Sequence, residues 1–71
     1  MTSKRDDIRR AYRMLRVRAE KPQWLIETEA DLSAGRYWRI ENGLSEPTPE
    51  ERKAIAKALG VKPSDLPQVS A

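Results

Sequence analysis

Two pairs of adjacent carboxylates, Asp6–Asp7 and Glu50–Glu51, are the only groupings in this sequence that suggest general acid–base chemistry. Both fall where a helix should begin, and there capping and the macrodipole account for acidic residues without any reaction. None of the 71 residues is His or Cys, which removes the usual zinc ligands, thiolate nucleophiles and any disulfide. There is no glycine-rich phosphate loop and no nucleophile beside a base. The expectation is a non-enzyme without metal, cofactor or small-molecule ligand. The chemistry that remains is cationic and aromatic. Trp38 follows Tyr37 and lies between Arg36 and Arg39 in SAGRYWRIENG (Ser33 to Gly43), and Arg9, Arg10, Arg13, Arg16 and Arg18 crowd the first quarter. Lys and Arg number 14 against 11 Asp and Glu, a net charge of +3 that leans towards an anionic partner without requiring one.

These side chains need elements to hold them. Ile8, Ala11, Tyr12, Leu15 and Ala19 recur at intervals of three and four, which predicts a first helix from Asp6 behind a basic arm at residues 1–5. The chain breaks at Lys21-Pro22, and Pro22 leads a short second helix from Gln23 to Glu29. Ser33 is placed as the N-cap of a third helix that Gly43 ends. Thr48, Pro49 and Glu51 form a capping box with proline at the first helical position. They open a fourth helix with Ile55, Ala56 and Leu59 on its apolar face and Gly60 as its stop. Pro63 to Leu66 suggests a fifth, single-turn helix before a tail at residues 67–71. No stretch alternates with period two, so the prediction is one all-α domain over residues 1–71. No run approaches the roughly 20 apolar residues of a membrane span, and no signal peptide opens the chain. The absence of cysteine suits a reducing, cytoplasmic setting. So short a chain buries only about 60% of its unfolded surface, which leaves its core marginal.

Within the third helix, successive residues lie about 100° apart, which puts Tyr37 and Ile40 on one buried side. Gly35, Trp38, Arg39 and Asn42 fall on the opposite half, with Ala34 at its edge. An outward Trp on so short a helix calls for a partner: nucleic acid, a second subunit, or the chain's own tail. Gly35 in a helix costs up to roughly 1 kcal/mol against Ala, so it too needs a reason.

Taken in order, Ile8 to Leu66 resemble the helix-turn-helix domain of the Cro/C1-type (Xre) family, which includes the lambda-type phage repressors. RIENG (Arg39 to Gly43) looks like the family's end of helix 3, and AIAKALGV (Ala54 to Val61) is similar to its helix 4. Gln23 stands where the family often opens helix 2 with Gln. The resemblance implies a five-helix, lambda-repressor-like fold with the helix-turn-helix at residues 23–42. Its apolar anchors would be Ile26, Ala30, Leu32, Tyr37 and Ile40. Two positions depart from the pattern. Asp31 replaces a turn Gly with positive φ, a conformation Asp tolerates better than most residues. Glu27 replaces a small residue where the two helices approach, and predicts an unusual interhelical angle or an unusual start of helix 2.

By the same resemblance, the outer half of helix 3 enters the major groove of double-stranded DNA. Arg39 would read a guanine and Trp38 a thymine methyl or sugar, while Ala34 and Gly35 let the start of the helix approach the bases. Gln23 would clamp a phosphate together with the free N–H groups of helix 2; Trp24, Ser33 and Arg36 would add phosphate contacts. Arg16 would pair with Glu41 as a structural tie, since that carboxylate is partly desolvated and needs a cation. Glu46, in the loop Leu44 to Pro47, would repel a phosphate. The implied function is a sequence-specific transcriptional regulator, a small phage or bacterial repressor. With no room for a separate dimerisation domain, it would bind its operator as a homodimer joined through helices 4 and 5 or the tail, for instance Leu66 and Val69. The rival reading is a protein-interaction module of the same fold, antitoxin-like or docking on the transcription machinery through Trp24 and Trp38. The modest charge, the acidic loop and Glu27 favour the rival; Arg39, Gly35 and Gln23 favour DNA.

Overall fold

Ser3 sets the start of the fold: its hydroxyl accepts the Asp6 N–H at 3.1 Å and caps the first helix. In the computed structural model, which describes residues 3–67, this helix is α1 (Lys4–Ala19). It begins two residues earlier than the apolar pattern predicts, because a cap signal needs no apolar residue behind it. Lys4 and Arg5 are therefore helical, and of the expected basic arm only residues 1 and 2 are left, outside the described residues. α1 ends at Glu20, which takes φ 57° in the left-handed region usually left to Gly. Lys21 then anchors the turn, its Nζ bonding Glu29 Oε1 at 2.7 Å and the Ala58 carbonyl at 2.8 Å.

α2 (Gln23–Glu29) starts behind Pro22 and α4 (Pro49–Leu59) behind Thr48, as their local signals predict. The capping box of α4 is complete: Thr48 Oγ1 accepts the Glu51 N–H at 3.1 Å, and Glu51 Oε1 accepts the Thr48 N–H at 2.8 Å. α3 (Arg36–Glu41) is shorter than expected, and the fifth expected helix is a single 3₁₀ turn (Pro63–Asp65). Among the described residues there is no strand and no helix long and apolar enough to cross a membrane.

One core joins all four helices. Ile8 and Tyr12 of α1, Ile26 and Ala30, Tyr37 and Ile40 of α3, and Ile55, Ala56, Ala58 and Leu59 of α4 are buried together. Tyr12 and Tyr37 meet edge to face with ring centroids 6.1 Å apart, an arrangement that adds to simple burial. Burial raises the Tyr12 phenol to about 12. Leu66 completes the core beneath the 3₁₀ turn, and Arg52 pins that segment by donating to the Pro63 carbonyl at 2.9 Å and the Pro67 carbonyl at 3.2 Å. This corrects the expectation that Leu66 offers a dimer contact: its side chain is consumed internally. Val69, the other expected contact, lies outside the described residues, as does the tail beyond Pro67.

Candidate nucleic-acid interface

The inner side of α3 is fixed by one carboxylate. Glu41 is only 3% exposed and accepts from three side chains. Arg16 donates Nε to Oε1 at 2.6 Å and Nη2 to Oε2 at 3.2 Å. The Tyr37 hydroxyl donates to Oε1 at 2.9 Å, and Gln23 Nε2 donates to Oε2. A carboxylate buried so deeply needs its charge matched and its lone pairs filled, and these donors from α1, α2 and α3 do both. Burial first, then the Glu41 charge and hydrogen bond, push the Tyr37 phenol well above its ordinary value, so it remains a donor. The hydrogen bond to Glu41 likewise holds Arg16 protonated.

Gln23 is thus turned inward. The expected phosphate clamp is corrected on this point, because the side-chain amide already serves Glu41; nor does Gln23 cap α2, whose N-cap position is Pro22.

Arg36 is also engaged. Its Nε and Nη2 form a bidentate pair with Glu51 at 2.9 and 2.7 Å, Nη1 donates to Ser45 Oγ, and Nη2 reaches the Glu46 carbonyl at 2.9 Å. Led by the Arg36 hydrogen bond, these surroundings hold the Glu51 carboxyl down at about 2. The predicted phosphate contact by Arg36 is therefore corrected to a brace between α3, the Leu44–Pro47 loop and α4. Arg36 and Glu51 lie fifteen residues apart, and no local periodicity relates them.

The approach to α3 departs most from expectation. Ser33 does not cap the helix: Gly35 occupies the N-cap position with φ 80°, and Ser33 contributes only its carbonyl, which accepts the Arg36 N–H at 3.0 Å. Ala34 and Gly35 accordingly precede the helix instead of forming its first turn. The helix penalty assigned to Gly35 does not apply, because a left-handed φ is what Gly supplies freely. The missing cap comes from α2: Glu27 Oε2 accepts the Tyr37 N–H at 3.2 Å, one of the donors a helix start leaves unpaired. Glu27, expected to make the interhelical angle or the start of helix 2 unusual, caps the helix that follows. Asp31 takes φ 56°, the positive value its place in the turn implies. At the other end of α3, Asn42 Nδ2 bonds the Trp38 carbonyl at 2.8 Å, and Gly43 turns the chain at φ 73°. A Cβ at Gly43 would sit 3.2 Å from Arg5 Cα, so the start of α1 packs directly against this turn.

What is left free lies on the outer side. Trp38 is 50% exposed and Trp24 67%. Arg39, Ser33, Ala34 and Gly35 are exposed as well. Among the described residues the Arg39 guanidinium has no ion-pair partner within reach. A family model described as helix-turn-helix matches residues 13–66. The chain belongs to the Cro/C1-type helix-turn-helix family. No curated protein and no solved structure matches it. Membership makes this a DNA-binding helix-turn-helix domain of the kind typical of transcriptional regulators. Its motif helices are α2 and α3, and in such a motif the second helix is the one that lies in the major groove.

Proposed function

We propose that this helix-turn-helix domain is a sequence-specific transcriptional regulator, a small repressor, that lays the outer side of α3 in the major groove of an operator. The observation that carries this reading is the asymmetry of α3. Its inner side is held by Glu27, Glu41 and the Arg36–Glu51 pair, while Trp38 and Arg39 stand exposed on the other. Arg39 then reads guanine O6 and N7 with a pair of N–H donors, and Trp38 offers an apolar edge to a thymine methyl. Ala34 and Gly35 keep bulk away from the approaching bases, and Trp24 and Ser33 flank a phosphate. Gln23 joins the phosphate contacts only by exchanging Glu41 for the DNA. So few phosphate contacts limit the affinity of one module, which supports a homodimer on two half-sites about one helical turn apart.

Arg39→Ala tests the reading. It should cost roughly 1–3 kcal/mol on the operator, relax the preference at one base pair, and cost less on random duplex. Equal losses on both duplexes would show that Arg39 only holds phosphate. In the structure, the interaction-module reading is favoured by the exposure of both tryptophans. It takes over if Trp38→Ala leaves DNA binding intact and abolishes a protein complex.

A further inference from the structure

The outer side of α1 sets two exposed apolar residues among arginines. Ile8, Tyr12, Leu15 and Ala19 share the side that packs on α3 and α4, and helical spacing sends Met14 and Val17 the opposite way. Met14 is 58% exposed and Val17 67%. Three residues apart, they form one short apolar ridge. Arg10 continues this ridge one turn earlier, and Arg13 and Arg18 flank it; these five side chains line a single shallow depression. Four other cations are in ion pairs, Arg16 with Glu41, Lys21 with Glu29, Arg36 with Glu51 and Arg9 with Asp6. Among the described residues Arg10, Arg13 and Arg18 have no such partner.

We propose that this face of α1 docks an acidic amphipathic helix of another protein. Scattered exposed apolar residues are ordinary. Here two adjacent ones lie within a frame of three unpaired guanidinium groups, which calls for a partner with an apolar strip edged by carboxylates. Guanidinium groups pair bidentately with carboxylates, and the ridge presents Arg10, Met14 and Val17 at the i, i+4, i+7 spacing that a helix laid alongside can follow. A DNA backbone would use the arginines and leave Met14 and Val17 without contact. A second copy related by a two-fold axis would bring this patch against itself, arginine facing arginine. Asp6 and Asp7, at the start of the same helix, place the partner's carboxylates over residues 10–18 and away from the N-terminal turn. The face points away from the α3 and α4 contacts, so it does not rest on the regulator reading and stays open while α3 is on DNA.

The test uses the full chain, isotopically labelled for NMR, and a synthetic amphipathic peptide of about 18 residues, long enough to be helical. The peptide carries Leu along one face and Glu elsewhere; its counterpart carries Lys for every Glu. The Glu peptide should shift amide resonances within α1, centred on Arg10 to Arg18, and the Lys peptide should not bind. Arg13→Glu and Met14→Ser should each weaken the Glu peptide at least tenfold, with the far-ultraviolet circular dichroism melt and random-DNA affinity unchanged. The proposal is overturned by no shift at millimolar peptide, by shifts centred on Trp24 or Trp38, or by equal binding of both peptides. It is also overturned if Arg13→Glu and Arg10→Ala weaken random-DNA binding, which assigns the arginines to phosphate. A self-association that Met14→Ser abolishes would assign the face to a second copy.

Discussion

Removing Glu41 should endanger the fold more than any surface change, and the structure gives the size of the effect. Glu41→Ala leaves the Arg16 guanidinium, whose side chain is only 17% exposed, without its counter-ion. Breaking a buried pair in this way costs about 3–5 kcal/mol. The Tyr37 hydroxyl, buried against the same carboxylate, loses its acceptor, which adds roughly 1–3 kcal/mol. Gln23 is half-buried and can turn to water. Ordinary stability per residue gives a domain of 71 residues a total of only about 4–11 kcal/mol. Glu41→Ala should therefore be marginal or unfolded at room temperature. Two further variants keep the reasoning measurable. Arg16→Met alone should cost about 3 kcal/mol, since Glu41 keeps two neutral donors but no cation. The combination Arg16→Met, Glu41→Leu and Tyr37→Phe removes both charges together with the Tyr37 hydroxyl, and should recover to within about 2 kcal/mol of the natural protein. Urea unfolding followed by far-ultraviolet circular dichroism measures all three, whereas the exposed tryptophans make fluorescence a weak reporter. An Arg16→Met cost below about 1 kcal/mol, or a triple variant no more stable than Glu41→Ala, would refute the account.

Three other outcomes follow from local geometry. Gly35→Ala should cost about 1 kcal/mol from its positive φ alone, as nothing lies near the added Cβ, whereas Gly43→Ala should cost more because its Cβ meets the Arg5 backbone; equal shifts in thermal melts would contradict this. Glu51 is held at about 2 against an ordinary 4.5, so its contribution is present above about pH 4.5 and is lost as the pH falls towards 2. That contribution is at most about 3 kcal/mol and less after solvent screening, and acid titration of Glu51→Gln should show a shallower loss of stability in that window; an unchanged slope would count against it. Glu27→Ala should cost about 1 kcal/mol by uncapping α3, with Glu27→Gln keeping most of it, and hydrogen exchange at the Tyr37 amide should quicken in the alanine variant alone.

The elements legible in the sequence were those whose instructions lie within one helical turn. Pro22, the Thr48–Glu51 box and Gly60 delimit α2 and α4 because a cap bonds to an N–H two or three residues away. The buried side of α3 was legible for a similar reason, since Tyr37 and Ile40 recur at helical spacing. The start of α3 was not. Ser33 carries a sound local cap signal, yet Gly35 takes the N-cap position and Glu27, ten residues back from Tyr37, supplies the acceptor. The candidate site divides in the same way. Trp38 and Arg39 face outward by periodicity alone, whereas the fates of Gln23 and Arg36 depended on acceptors 18 and 15 residues away.

By itself, then, the sequence determined an all-α domain, the ends of two helices and the side of α3 left exposed, because each is decided by backbone bonding and periodicity over a few residues. Tertiary structure decided which polar side chains remain free. A long side chain such as Arg36 or Gln23 has several possible partners, and the one it takes is the carboxylate that packing brings to it; for buried Glu41, being left unpaired away from water costs far more than withdrawing a donor from the surface. Leu66 obeys the same rule in apolar form: once Arg52 pins the closing turn, its side chain fills the core and is no longer available at the surface.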